Sequence, residues 1–303
     1  MATDFQGEAS EAPRRFKVDC DLKYEVQSPA HFVFHVEAVE SGQVVVDEAL
    51  TLTPSVSVQR HTHGPSNNRL IRADVLPGLF ELNYRATVEL PPLPSTPYGA
   101  GLPESPVSGI PFDYLHLLSP TRYCESDLLA SATKKMFAHY APGWERVEGI
   151  RLWIHANIEY TVGSTTCTST ACDVFLQRAG VCRDFAHLGI AFCRALNIPA
   201  RFVVGYIKFP EGAPDFHAVF EAWLGHRWVL FDATEMAPID ELIRVGTGRD
   251  AKDVPFATFF GNARMLSMSP AVEVIGAVDI QPPFVPIKVP AAKPHLARPA
   301  YAV

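Results

Sequence analysis

Apolar and polar residues alternate over most of the first ninety positions of the chain. Phe16, Val18, Cys20, Leu22, Tyr24 and Val26 are apolar, and Lys17, Asp19, Asp21, Lys23 and Glu25 lie between them. A period of two over eleven residues predicts a strand with one wet face. Phe32, Phe34 and Val36 predict a second strand. Residues 44–46 and 50–52 predict a weaker third, and the alternation from Phe80 to Leu90 another regular one. Ser28-Pro29, Ser41-Gly42, Gly64-Pro65 and Pro77-Gly78 read as turns between them. The reading is a small antiparallel β-sandwich over residues 15–92.

The pattern then changes. Seven prolines between positions 91 and 111 exclude a helix or a central strand and predict an extended linker over residues 93–111. Beyond it the apolar spacing becomes helical. Ser126 precedes Asp127 and an apolar run to Tyr140, as an N-cap should. Val147, Ile150, Ile154 and Ile158 continue at helical spacing. Thr170 caps a short helix that ends at Gly180, read as its C′ residue. A further helix runs from about Arg183 to Leu196 with Phe185, Leu188, Phe192 and Leu196 facing the core, stopped by Asn197 and Pro199. Strands are predicted over residues 201–209, 217–224, 227–232 and 272–280. Helices followed by antiparallel strands give an α+β domain over residues 112–281, and six prolines after Gln281 mark a tail over residues 282–303.

Composition narrows the function. The chain has 303 residues, 48% of them apolar and 19% charged, which is globular and long enough for two domains. A net charge of −7 without a basic run argues against nucleic acid as a partner. No stretch of 18 apolar residues offers a membrane span, and the polar segment from Met1 to Lys17 lacks the apolar core of a secretory leader. Six cysteines are too few for a disulfide scaffold, so a reducing cytoplasm is the expected setting.

One cysteine stands out. Cys182 lies where a glycine-ended segment hands over to a new helix, and the partial positive charge of a helix N-terminus favours a thiolate. The free N–H groups there suit a developing oxyanion. A nucleophilic thiol needs a base and a group that orients the base. If Gly225-His226 is a two-residue type II′ turn, Leu224 pairs with Arg227, and His217 and Asp232 become diagonal neighbours on one sheet face. That face carries His217, Val219, Glu221 and Trp223. The other, with Phe216, Ala218, Phe220, Ala222 and Leu224, is apolar and reads as the buried side.

The segment Gly180-Val181-Cys182-Arg183-Asp184-Phe185-Ala186-His187-Leu188 resembles the nucleophile motif of bacterial transglutaminase-like proteins. Cys193 to Arg201, Asp215-Phe216-His217-Ala218, Trp228 to Thr234, Leu118 to Asp127 and Gly248-Arg249-Asp250 fit the same family in order and spacing over residues 15–280. The resemblance implies a transglutaminase-like cysteine protease with an N-terminal β domain and a papain-like α+β core. It implies Cys182 as nucleophile, His217 as base and Asp232 as orienter, with no cofactor and no metal. Two positions depart from the pattern. Val219 stands where many relatives have a tryptophan, and Ala233 where proline commonly follows the aspartate.

The expected activity is that of a thiol hydrolase, a peptidase or amidase, acting on a protein or peptide through an acyl-enzyme. Acyl transfer to an amine, or a binding module that retains the fold, are the alternatives. Tyr160 and Asp184 are expected to line the site. Cys20, Cys124, Cys167, Cys172, Cys193 and His187 read as packing residues, and His61 and His63 as a solvated loop rather than a metal site, since two ligands alone make no site.

Overall fold

The computed structural model describes residues 13–64, 66–92, 99–209 and 215–275. The first strands are β1 (Arg14–Val26), β2 (Ala30–Phe34), β3 (Val44–Thr53), β4 (Val58–His63), β5 (Asn68–Val75) and β6 (Gly78–Leu90). The alternation in β1 is realised in full. Phe16, Val18, Cys20, Leu22, Tyr24 and Val26 are buried and the intervening residues are not. β1 lies antiparallel to β6 with Cys20 opposite Tyr84 and Leu22 opposite Leu82, so the two apolar faces coincide. Tyr24, Phe32, Phe34 and Phe80 meet at ring-centroid distances of 5.1 to 6.5 Å between the sheets.

The second half contains α1 (Ser126–Phe137), α2 (Trp144–Asn157), β7 (Glu159–Tyr160), α3 (Ala171–Gln177), β8 (Ala179–Gly180), α4 (Cys182–Ala195), β9 (Ala200–Tyr206), β10 (Phe216–Leu224), β11 (Arg227–Phe231) and β12 (Ile243–Gly248). The chain ends its described course in β13 (Ala257–Phe260) and β14 (Ala263–Ile275). Among the described residues three four-stranded sheets result, ordered β14-β1-β6-β3, β13-β2-β5-β4 and β11-β10-β9-β12. The first two form the sandwich and the third backs the helices.

Several features differ from the sequence reading. The sandwich is not closed by residues 15–92 alone. β14 pairs along the length of β1, from Arg15 opposite Ile275 to Val26 opposite Ala263, and β13 pairs with β2. The chain therefore leaves the sandwich, builds the α+β core and returns. The predicted strand over residues 272–280 is the end of β14, and its last five residues lie outside the described ones. β4, β5 and β12 were not expected. Their apolar alternation is too sparse or too short to read, with only Val58 apolar in β4 and Gly246 interrupting β12 after Ile243 and Val245. His61 and His63 accordingly sit on an exposed strand and not in a loop. The proline-rich linker is not a free spacer where it is described. Leu102 O accepts from Trp144 N at 2.8 Å, Pro103 O from Gly225 N at 2.9 Å, and Glu104 pairs with Arg146. The tail over residues 282–303 lies outside the described residues.

α4 is the axis of the second half. A core helix exposed on one side shows an apolar stripe, but α4 is buried from Asp184 to Arg194. It packs on β9 and β10 on one side and on α1, α2 and α3 on the others. Gly189 permits the closest approach, since a Cβ there would lie 2.5 Å from the Phe220 ring. The buried Arg194 is satisfied by the carbonyls of Ala200, Ser119 and Arg249, which ties the junction loop to the sheet. Tyr206, fully buried, donates to Val36 O at 2.5 Å, and Asn68 makes two hydrogen bonds with the Thr247 backbone, so the two halves share one apolar core. Among the described residues no helix is long and apolar enough to cross a membrane.

Candidate active site

Gly180 does not end a helix. α3 begins at a capping box in which the Thr170 hydroxyl accepts from Asp173 N and the Asp173 carboxylate from Thr170 N. It stops at Arg178, which takes the left-handed conformation with φ 62°. Gly180 lies instead in β8, beside Tyr160 of β7, and a Cβ there would meet Asp184 at 2.8 Å. Val181 is the extended residue before α4, and its N–H is held by the Asp184 carboxylate at 3.0 Å. The same oxygen, Oδ2, takes the Thr165 hydroxyl at 2.5 Å, and Oδ1 takes the Arg183 guanidinium. These contacts set the pitch at which Cys182, half-buried, enters as the first helical residue. Its N–H and that of Arg183 are first-turn donors without an intrahelical acceptor.

The hairpin of β10 and β11 delivers the partners. Leu224 pairs with Arg227 and Phe220 with Phe231, as the sequence register requires. The turn differs in type. Gly225 and His226 both have positive φ, 53° and 62°, which makes it type I′ rather than II′. The pairing is the same because both types use two residues. β10 is buried on both faces, so the face of His217 is not the wet one. Val203, Ile207, Val219 and Leu242 form a second apolar cluster over it.

His217 Nε2 lies 2.8 Å from Asp232 Oδ2, with both side chains almost wholly out of water. Asp232 is itself fixed, because its Oδ1 accepts from the Thr234 N–H and hydroxyl, both at 2.8 Å. Phe209 stands edge-on to the imidazole at 5.4 Å. Burial alone would push the His217 imidazole down. The hydrogen bond to Asp232, and then the Cys182 sulfur, outweigh it and raise the group to about 10. With Nε2 committed to Asp232, Nδ1 is the nitrogen left for Cys182, and it has no other partner among the described residues.

Tyr160 completes the arrangement. Its ring packs 5.9 Å from Phe185, and its hydroxyl lies against the N–H and the thiol of Cys182. Burial and then the nearby sulfur raise that hydroxyl to about 12, while the Cys182 N–H pulls it down.

The structure thus brings Cys182, His217 and Asp232 together, with Tyr160 and Asp184 beside them. Three other acids of this region are occupied elsewhere. Glu221 is paired with Arg201 and Arg244, Glu235 with Arg151, and Asp240 with Arg14. Thr165 and Phe209 escaped the sequence reading, which held Thr234 only as the end of the segment from Trp228. Only Thr234 had a local signal, a hydroxyl two residues after the aspartate it serves. Cys20, Cys124 and Cys193 are fully buried. His187 stacks on Tyr123 and accepts from Ala251 N, and burial holds it down at about 3. Among the described residues no group of three or more His, Cys, Asp or Glu side chains could hold a metal ion.

An N-terminal antiparallel β domain followed by a core that offers a cysteine at a helix N-terminus to a strand histidine defines the transglutaminase-like class. Comparison with known proteins agrees. Residues 130–233 match the model of the transglutaminase-like superfamily, and residues 14–91 that of the bacterial transglutaminase N-terminal domain. The crystal structure of a putative cysteine protease from Cytophaga hutchinsonii superposes with a TM-score of 0.83 at 38% identity, over 89% of this chain and 93% of that one. Uncharacterized proteins of Mycobacterium leprae and Mycobacterium tuberculosis are 30% and 31% identical over 168 and 170 residues. The matched stretches are 52% of this chain and only 60% and 52% of those relatives. The chain belongs to the transglutaminase-like superfamily.

Proposed function

We propose that this protein is a thiol hydrolase that cleaves an amide bond in a protein or peptide. The observation that carries the reading is the pairing of His217 Nε2 with Asp232 at 2.8 Å, which leaves Nδ1 for a cysteine at a helix N-terminus. In this reading the Cys182 sulfur attacks the amide carbonyl, and the oxyanion forms where the Cys182 N–H is aimed. His217 gives its Nδ1 proton to the departing amine, which leaves an acyl group on sulfur. It then takes a proton from water, and the hydroxide so formed releases the acid. Asp232 accepts a hydrogen bond from the Nε2–H throughout and stabilises the imidazolium without being protonated. Six free thiols suit a reducing compartment such as the cytoplasm.

The same triad would transfer the acyl group to an amine, because nothing in the three residues selects the acceptor. A binding module that had lost catalysis would have no need to keep His217 and Asp232 buried and bonded. The test is labelling with iodoacetamide near neutral pH, resolved by peptide mass spectrometry. The proposal expects Cys182 to react far faster than exposed Cys167 and expects His217→Ala to abolish the difference. Equal rates at the two cysteines would refute it.

A further inference from the structure

The pairing of β10 with β11 ends at Phe231, so the turn over residues 232–235 is placed from elsewhere. It is gripped by α2. Arg151 Nη1 donates to the Asp232 carbonyl at 3.4 Å and to the Glu235 carboxylate. One helical turn further, His155 Nδ1 donates to the Ala233 carbonyl at 3.2 Å, and its Nε2 lies 3.5 Å from Glu235 Oε2. Glu148 holds the other edge of the same guanidinium, at 2.8 Å to Nε and 2.6 Å to Nη2. The planar fork thus anchors to its own helix along one edge and leaves Nη1 for the turn. α2 also packs on α4, with Trp153 edge-on to Phe192 at 5.7 Å. One helix therefore meets both the helix that carries Cys182 and the turn that carries Asp232.

A second observation bears on the same contact. Glu235 has φ 54°, a left-handed conformation that glycine or asparagine takes most readily. A side chain held there works against its own backbone preference, and such strain persists where the surrounding structure enforces it. At Glu235 the side chain is the part that reaches Arg151 and His155, which glycine would not.

We propose that Arg151 is a positioning residue for the triad, fixing the turn over residues 232–235 so that the Asp232 carboxylate meets His217. This rests on the reading of Cys182, His217 and Asp232 as the catalytic groups.

The test follows the His217 proton. Iodoacetate is an anion, so it alkylates a thiolate beside an imidazolium faster than one beside a neutral imidazole. The alkaline limb of its rate at Cys182, read on the full chain by peptide mass spectrometry, reports the loss of that proton without need of a substrate. In the wild type the limb is expected near pH 10. Among the described residues the ionisable groups that act on His217 are Asp232 beyond β11, Cys182 of α4 and Asp215 ahead of β10, and Arg151→Met leaves all three in place.

Arg151→Met should bring the limb down by about one pH unit or more, because the Asp232 hydrogen bond is misplaced. The sign is diagnostic. Removing the Arg151 charge with nothing else disturbed would stabilise the imidazolium and raise the limb. A merely structural role would lower the unfolding temperature and leave the limb where it is. If Arg151→Met does not fold, Arg151→Lys takes its place. It keeps the charge but cannot serve Glu148 and the turn together, and should lower the limb about half as far. A limb that stays or rises in the variant tested overturns the proposal.

In an Asp232→Asn background the same substitution should move the limb by less than about 0.3 pH unit, since no carboxylate is left to position. A drop as large as in the wild type overturns the proposal, because Arg151 would then act by another route. If Asp232→Asn alone keeps the wild-type limb, or wild-type Cys182 shows no alkaline limb, the parent reading falls, and this one with it.

Discussion

His217 and Asp232 are held 2.8 Å apart across a hairpin whose last paired residues are Phe220 and Phe231, so the aspartate sits just beyond the ladder. Leaving the ladder frees the Asp232 backbone to turn, and the turn lets Thr234 bind the carboxylate oxygen that His217 does not use. One carboxylate thus joins two elements that the hairpin alone would leave side by side.

Cys182→Ala should abolish turnover of any amide or ester substrate and leave the fold intact, because the side chain is small and only half-buried at the edge of the core. Residual activity above about 10% of wild type with unchanged thermal unfolding would remove Cys182 from the mechanism, since loss of a nucleophile costs orders of magnitude.

Asp232→Asn should lower kcat by about 10³ to 10⁴, because the amide permits the wrong imidazole tautomer. It should also move the alkaline limb of the rate profile. In the wild type the imidazolium is retained to about pH 10, and without the carboxylate it should be lost closer to the ordinary value of 6.5. A variant with the same alkaline limb would show that Asp232 does not support the imidazolium.

The same shift bears on stability. His217 is raised in the folded chain, so its contribution is complete below about pH 6.5 and disappears as the pH rises through about 10. Chemical denaturation from pH 6 to 10 should show a decline in wild type that is smaller in His217→Gln.

Glu221→Ala should be strongly destabilising, by about 3 to 5 kcal/mol, because it leaves Arg201 and Arg244 largely buried without their shared carboxylate. Urea unfolding measures this. A loss below about 1 kcal/mol would mean that the two guanidinium groups find water.

Gly189→Val should destabilise by about 1 to 3 kcal/mol or more, since even a Cβ meets the Phe220 ring at 2.5 Å. A chain cut after Phe256, which removes β13 and β14, should be insoluble or unfolded, because it strips one of the two partners from β1 along its length and leaves that strand as a long open edge. Circular dichroism of the two variants distinguishes a local clash from loss of the sandwich.

The local pattern determined a good deal of this protein. Alternation placed β1 and β6 and their inward faces, because a strand half in water must show a period of two. A two-residue turn at Gly225-His226 set the register that makes His217 and Asp232 neighbours, and either primed turn type yields the same pairing. Cys182 was legible from its place at a helix start and from its resemblance to a family motif. Only the tertiary structure decided the rest. β14 returns to β1 over some 240 residues of chain, and no local periodicity encodes such a partner. α4 and β10 are covered on every side, so amphipathic reasoning gave each a wet face that does not exist. Gly180 looked like a helix end but proved to be a close contact with Asp184, which depends on a neighbouring turn of chain. Asp215, Glu221 and Glu235 all lie near His217 or Asp232 in the sequence, and nothing there gives their ion pairs. Packing gave two of them arginines and left Asp215 at the open edge of the site, because charge pairing is set by which side chains the fold brings within reach.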